Sequence, residues 1–369
     1  MVTRHSLRCV NPTLVLTLGI VFTAATFTFS QTVANVSAAA GPAAQQISLV
    51  ASLSLPGSFV TPQSVHADSE RIYLCSYQGD LFILERDRQS GFPLIQTIAL
   101  GAPLVAVRGD KDKLYVASRN GNLYVFNKTW PVQLSRAIPI STYGLSSLEL
   151  AGKEVYVAKG QGALTVTDSS LYLSEFNPGD FAVEVGSLRS YGESPFVTGA
   201  TIVFDRQTQR ILGTIANPGQ NFFNIHAGEE FLFLTSPGCC SAGIYVYDAV
   251  NLRAIQVLSR PTNTVASVKR RGIPLAVGAS EGGAVDLYAF DKAGYQFIDS
   301  VDLPAATGFT RPEDIEIRAL WIDGIDNLVF AASSWGNDRS RAAILPSLFV
   351  LEIRNPPSKS WGRFALGSN

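Results

Sequence analysis

The stretch Lys113 to Asn127, KLYVASRNGNLYVFN, constrains the fold more than any other part of this chain, because variants of it recur. It is an apolar run, a two-to-four-residue polar turn containing Gly121, and a second apolar run ending in a turn-former. Aromatic and β-branched residues in short runs bounded by Gly and Asn are a strand signature. Asn120-Gly121 is a favoured pair for a tight hairpin turn, because both residues tolerate positive φ. Neither run alternates cleanly between apolar and polar residues. A strand covered on one face alternates, and a strand covered on both faces does not. The hairpin is therefore expected inside a stack of sheets.

Copies can be anchored on the residue that ends the second run. These anchors are Glu85, Asn127, Asp168, Asp205, Asp248, Asp291 and Glu352, spaced 42, 41, 37, 43, 43 and 61 residues apart. The first five spacings lie near one period, and the last carries an insertion of about one-half repeat. A period of roughly 40–45 residues with four strands per unit is that of β-propeller blades. The expected fold is all-β: a seven-bladed β-propeller of four-stranded antiparallel blades over residues 47–354. The last blade lacks an outer strand of its own, because Glu352-Ile353-Arg354 runs into Asn355-Pro356-Pro357. Ile47 to Leu55 has no hairpin partner and resembles the outer strands at Leu94–Leu100 and Leu134–Ile140. It is expected to close the ring as an N-terminal strand and to hide an edge that would otherwise invite aggregation.

The two ends read differently. Arg4 and Arg8 precede an apolar run from Thr13 to Phe29, and small residues follow at Val36-Ser37-Ala38. This is the pattern of a secretory signal over residues 1–38. An uncleaved anchor is the alternative, but the run is short for a membrane span and diluted by Thr. Residues 39–46 read as a leader, and 355–369 as a C-terminal tail. Cleavage leaves 27 basic residues against 30 acidic ones. With no clustered basic face, nucleic acid is not an expected partner. The run Lys269-Arg270-Arg271 reads as a solvated turn. The chain is expected outside the cytoplasm, as a monomer, with any membrane contact only through an uncleaved signal.

Two segments, Val105–Asn127 (VAVRGDKDKLYVASRNGNLYVFN) and Ser147–Asp168 (SLELAGKEVYVAKGQGALTVTD), resemble the LVIVD and YVTN classes of bacterial propeller repeat. Those classes pair a V-x-G-x-x-x-Y-V-A strand with a G-x-L-x-V-x-D strand. The resemblance runs over nearly the whole chain after residue 46, with blades four, six and seven departing from it. It implies a secreted seven-bladed propeller of a group with mostly undefined functions, and it carries over no catalytic residue.

The anchors Asp168, Asp205 and Asp248 read as turn-openers, because an Asp at the first turn position bonds the backbone ahead of it. His66 and His226 occupy equivalent repeat positions, with Arg108 and Glu149 at the matching places in blades two and three. A metal site needs about four convergent donors, and no such spacing is visible, so no cofactor or metal is expected. Cys75 reads as a buried thiol. Cys239-Cys240 could form a strained vicinal disulfide in an oxidising compartment.

Propeller ligands commonly meet the face built by loops between the second and third strands, an inference from fold alone. Those loops carry Tyr77, Arg119, Asn120, Lys159 and Tyr191. The insert in the last blade adds Trp335, Asn337, Asp338 and Arg339, and Arg311 lies just before that blade. Exposed Trp, Tyr and Arg are enriched at binding hot spots. The favoured reading is a non-enzymatic scaffold that binds a protein, small molecule or glycan. The alternative is a metal-dependent, lactonase-like hydrolase at the channel mouth, using Glu313 and Asp314 with His66 as helper.

Overall fold

The computed structural model describes residues 45–55, 60–61, 63–142, 144–159, 164–166, 183–185, 189–194, 200–205, 208, 211–216, 224–236, 243–280, 282–308, 315–334 and 347–354. They form seven antiparallel sheets, six of four strands and one of three. Sheet one is Val65–Ala67, Arg71–Cys75, Asp80–Glu85 and Leu94–Ala99. Sheet two is Leu104–Gly109, Lys113–Ser118, Asn122–Asn127 and Gln133–Pro139. Sheet three is Leu145–Ala151, Glu154–Lys159 and Leu164–Val166. Sheet four is Val183–Val185, Arg189–Ser194, Ala200–Asp205 and Ile211–Ala216. Sheet five is Asn224–Ala227, Phe231–Ser236, Gly243–Asp248 and Ala254–Leu258. Sheet six is Thr264–Arg270, Ile273–Ala279, Ala284–Asp291 and Gly294–Asp302. Sheet seven is Glu316–Ile322, Leu328–Ser334 and Leu348–Ile353, with Ile47–Leu53 as its fourth strand.

Burial explains why the runs do not alternate. Side chains on a strand point to opposite faces, and here both faces of the middle strands are covered. Leu81 and Ile83 pack with Leu104, Val107 and Leu114 of sheet two. Their neighbours Phe82 and Leu84 pack with Leu328, Phe330 and Val350 of sheet seven. The core is thus a series of slabs between successive sheets. Fourth strands face outward, and Gln133–Pro139 is exposed along almost its whole length. The first strands neighbour one another in chain order, and that of sheet seven neighbours that of sheet one.

The N-terminal strand pairs antiparallel with the third strand of sheet seven, from Ile47 opposite Ile353 to Leu53 opposite Leu348. Sheet six also holds it: Asp299 Oδ2 accepts from the amides of Gln46 (2.7 Å) and Ile47 (3.0 Å).

The hairpin Lys113–Asn127 departs from expectation at Asn120 of its turn. The strands end at Ser118 and resume at Asn122, so the turn has a length within the expected two to four residues. Its amide at Gly121 donates to the Ser118 carbonyl at 3.0 Å, and only Gly121, not Asn120, has positive φ. The same Ser-x-x-Gly corner closes Ser76–Gly79 and Ser280–Gly283. Each corner glycine then receives the link to the next sheet: Leu100, Ile140 and Leu303 donate to Gly79, Gly121 and Gly283. At Gly121 a Cβ would collide with the Ser141 carbonyl, so glycine is required by contact as well as by φ.

Two other departures are local. Most of Arg189–Pro195, the stretch around Tyr191 read from sequence as a rim loop, is the second strand of sheet four, Arg189–Ser194. A one-turn helix, Leu303–Thr307, follows sheet six; Asp302 caps its start and Gly308 ends it in the left-handed region.

Candidate functional site

The rim residues expected to bind fall into three groups. Tyr77 lies in the Ser76–Gly79 turn with 36% of its surface exposed. Arg119 is half-buried at the matching turn of sheet two, and Asn120 is exposed. Asn120 spends its side chain locally: Nδ2 donates to the Tyr124 hydroxyl and Oδ1 accepts from the Asn122 amide, both at 3.1 Å. Lys159 ends the second strand of sheet three. Tyr191 is corrected: it sits mid-strand, opposite Glu184 and Val203. That is the place Tyr73, Tyr115 and Tyr156 hold in sheets one to three, a scaffold position rather than a rim loop. The polar stretch R-S-Y-G-E-S hides a strand because it lacks the apolar run of its counterparts. Arg311, Glu313, Asp314, Trp335, Asn337, Asp338, Arg339, Cys239 and Cys240 lie outside the described residues. Cys75 is a free, buried thiol that burial pushes up to about 12.

The opposite end, where first and second strands turn, carries the charged chemistry. Asp68, Asp110 and Asp323 each accept two amides of their own turn. Basic residues that follow a third strand then cross to a neighbouring sheet. Lys128 of sheet two lies 2.5 Å from Asp68 of sheet one. Arg86 of sheet one pairs with Asp323 of sheet seven and lies 3.2 Å from Asp326. The third-strand anchors Asp205 and Asp248 cap their own turns, as expected.

Nearer the centre, Arg108 Nε donates to Glu149 Oε2 at 2.8 Å. Its Nη1 reaches the carbonyls of Val107 (2.9 Å), Gln63 (3.2 Å) and Val65 (3.4 Å). A first strand is the inner edge of its sheet, so such carbonyls lack a ladder partner on one side. Arg108 adds donors there, and the Gln63 carbonyl also accepts the Val107 amide. His66 packs beside it, 4.5 Å from the Trp321 ring and 6.0 Å from Tyr73. Burial, reinforced by the Arg108 and Lys128 charges, lowers it to about 3.

His226 opens onto a cleft between sheets five and six, of about 320 Å³. One wall is His226 to Phe231 with Phe233; the other is Ser267 to Lys269 with Pro274 and Leu275. Tyr295 and Gly324 also contribute. His226 Nε2 lies 2.9 Å from Ser267 Oγ and accepts the Ser267 amide at 3.0 Å. That amide fixes the tautomer, since it needs a lone pair on Nε2 and leaves the ring proton on Nδ1. Burial, with the Arg108 charge, lowers His226 to about 4. Gly228 admits the contact, because a Cβ there would lie 2.5 Å from Ser267 Oγ. Lys269 Nζ stands 2.5 Å from Glu230 and 3.9 Å from Glu229. Behind them Tyr295 meets Phe231 and Phe233 edge-on, centroids 5.4 Å and 5.6 Å apart. Burial and the Glu230 carboxylate push its hydroxyl pKa up.

Sequence reasoning marked His226 by its repeat position but missed Glu229, Glu230, Ser267, Lys269 and Tyr295. Glu229-Glu230 and Lys269 look like ordinary turn residues until sheets five and six are set side by side.

No family model matches this sequence, and no curated protein matches it. The fold does have a likeness among solved structures. A chain from the "Crystal Structure of Mitotic Checkpoint Complex" matches with a TM-score of 0.65 at 10% identity, over 89% of this chain and 98% of that one. Together with the antiparallel four-stranded sheets, this places the protein in the class of β-propellers. A total of 1417 solved chains match, so the likeness identifies a widely reused architecture and no activity.

Proposed function

We propose that this protein is a seven-bladed propeller of the LVIVD or YVTN kind, exported from the cytoplasm, that acts as a non-enzymatic binding scaffold. The repeat spacing, the cyclic order of first strands and the pairing of Ile47–Leu53 with the last sheet support the closed ring. The pattern over residues 1–38 supports export, and the N-terminal residue of the mature protein, read by mass spectrometry, tests it.

One observation favours binding over catalysis. The cleft does bring a serine and a histidine within hydrogen-bond distance, as a nucleophile–base pair requires. However, the single lone pair of His226 Nε2 is engaged by the Ser267 amide. The Ser267 hydroxyl must share that lone pair, so its proton lacks a free acceptor. With burial also holding His226 to about 4, the ring is a poor general base near neutral pH. The arrangement secures the seam between sheets five and six and shapes the cleft wall.

The test is a panel of activated esters and lactones assayed with the mature protein and with Ser267→Ala. No Ser267-dependent turnover is expected. Turnover abolished by Ser267→Ala and by His226→Gln would overturn the scaffold reading in favour of a hydrolase.

A further inference from the structure

The scaffold reading leaves open what the cleft between sheets five and six would hold, and the chain itself supplies a clue. Lys269 already places an alkylammonium in it, 2.5 Å from Glu230 and 3.9 Å from Glu229. The cleft walls therefore present two carboxylates to one cation. The other basic residue of that strand end is directed elsewhere: Arg270 Nη2 donates to the Asp323 carbonyl at 3.2 Å. The Lys269 pair is also easily exchanged. Its side chain is 34% exposed and those of Glu230 and Glu229 are 46% and 72% exposed, and ion pairs this wet hold weakly.

A second, independent feature lies deeper. Tyr295 is only 2% exposed, and its hydroxyl has no hydrogen-bond partner among the described residues. A buried hydroxyl left unpaired is costly. Its ring packs on Phe231 and Phe233, which line the same cleft. A ligand group that donates to this oxygen while facing the aromatic rings and a carboxylate would engage the hydroxyl.

We propose that this cleft recognises an arginine side chain of a partner protein, which displaces Lys269 from Glu230. A guanidinium is planar, carries five donors and stacks on aromatic faces. It can pair with Glu230, donate to the Tyr295 oxygen and lay its aliphatic stem along Phe231. Lys269 is then an internal competitor that holds the site closed to weaker ligands. A cleft of about 320 Å³ admits one such side chain rather than a folded element. The inference rests on the scaffold reading, since it assigns that scaffold its ligand.

The test is calorimetric titration of the mature protein with the pentapeptide Gly-Gly-Arg-Gly-Gly and its citrulline counterpart, which keeps shape and loses charge. The arginine peptide is expected to bind at least about ten-fold more tightly than the citrulline one, by the strength of charge-assisted over neutral hydrogen bonds. Glu230→Gln should weaken binding by a similar factor. Lys269→Met should strengthen it several-fold, because the competitor is gone. Both substituted side chains are solvent-exposed enough for the variants to fold, which thermal unfolding checks. Weaker binding by Lys269→Met would overturn the proposal and point to an anion held by that lysine. Equal affinity for the citrulline peptide, indifference to Glu230→Gln, or no detectable binding in the wild type and Lys269→Met alike would also overturn it. None of these outcomes touches the scaffold reading, which falls only if Ser267-dependent turnover appears.

Discussion

If Ile47–Leu53 completes the ring rather than decorating it, weakening its anchorage must lower the stability of the whole domain. The change that isolates this is Ile47→Ala. Ile47 is fully buried, in a cluster with Leu275, Val277 and Leu287 of sheet six and Ile317 and Phe349 of sheet seven. Cutting such a side chain to Ala costs about 2–5 kcal/mol in transfer and cavity terms. A second change, Asp299→Asn, replaces a carboxylate that accepts two amides of the strand's start. Hydrogen bonds to a charged group contribute about 1.5–3 kcal/mol, and the amide turns one acceptor into a donor facing donors. The two sites touch, so their effects will not add. The assay is urea unfolding followed by far-UV circular dichroism, with limited proteolysis in parallel. For a closing strand, each variant lowers the midpoint at an unchanged slope, because the same surface is exposed when the ring opens. For a peripheral strand, the midpoint stays in place while cleavage near residues 45–55 accelerates. That second result, for Ile47→Ala, would refute the reasoning.

Two further perturbations probe the frame and its seams. In the unfolded chain each imidazole takes up a proton near pH 6.5, but burial holds His66 to about 3 and His226 to about 4. Between those values the unfolded chain binds more protons, so stability is complete above pH 6.5 and declines as the pH falls, by up to about 1.4 kcal/mol per pH unit for each histidine. Urea unfolding at pH 6.5 and 5.0 should show a shallower decline in His66→Gln, and an unaltered decline would contradict the assignment. Gly121→Ala combines a left-handed φ of 85° with a collision at the Ser141 carbonyl. The φ alone costs about 1–2 kcal/mol and overpacking about 1–3 more. A midpoint shift below that of a surface Gly→Ala control would show that the corner yields.

The repeat was legible because it is enforced by packing. In KLYVASRNGNLYVFN, neighbouring side chains face different slabs, so nearly every position of a middle strand must be apolar, and the pattern survives from sheet to sheet. In sheet four the second strand is hidden because Arg189–Ser194 substitutes polar residues into that pattern, and the φ at Asn120 is not legible because Gly121 answers to the next sheet as well as to its own hairpin. The site was less legible, since its residues meet only across a seam. Yet the seam leaves its own arithmetic. Arg108 and Glu149 are 41 residues apart, as are His226 and Ser267, while Asn224 and Thr264 are 40 apart. Lys269 and Glu230 are 39 apart. Each separation is one repeat. A first strand has no inner neighbour in its own sheet, so its polar groups must find partners in the next copy, at a distance set by the period. Complementary polar residues one repeat apart are therefore seam contacts by construction. The informative ones are those whose exposure leaves the pair exchangeable, which singles out Glu230 and Lys269 over Arg108 and Glu149.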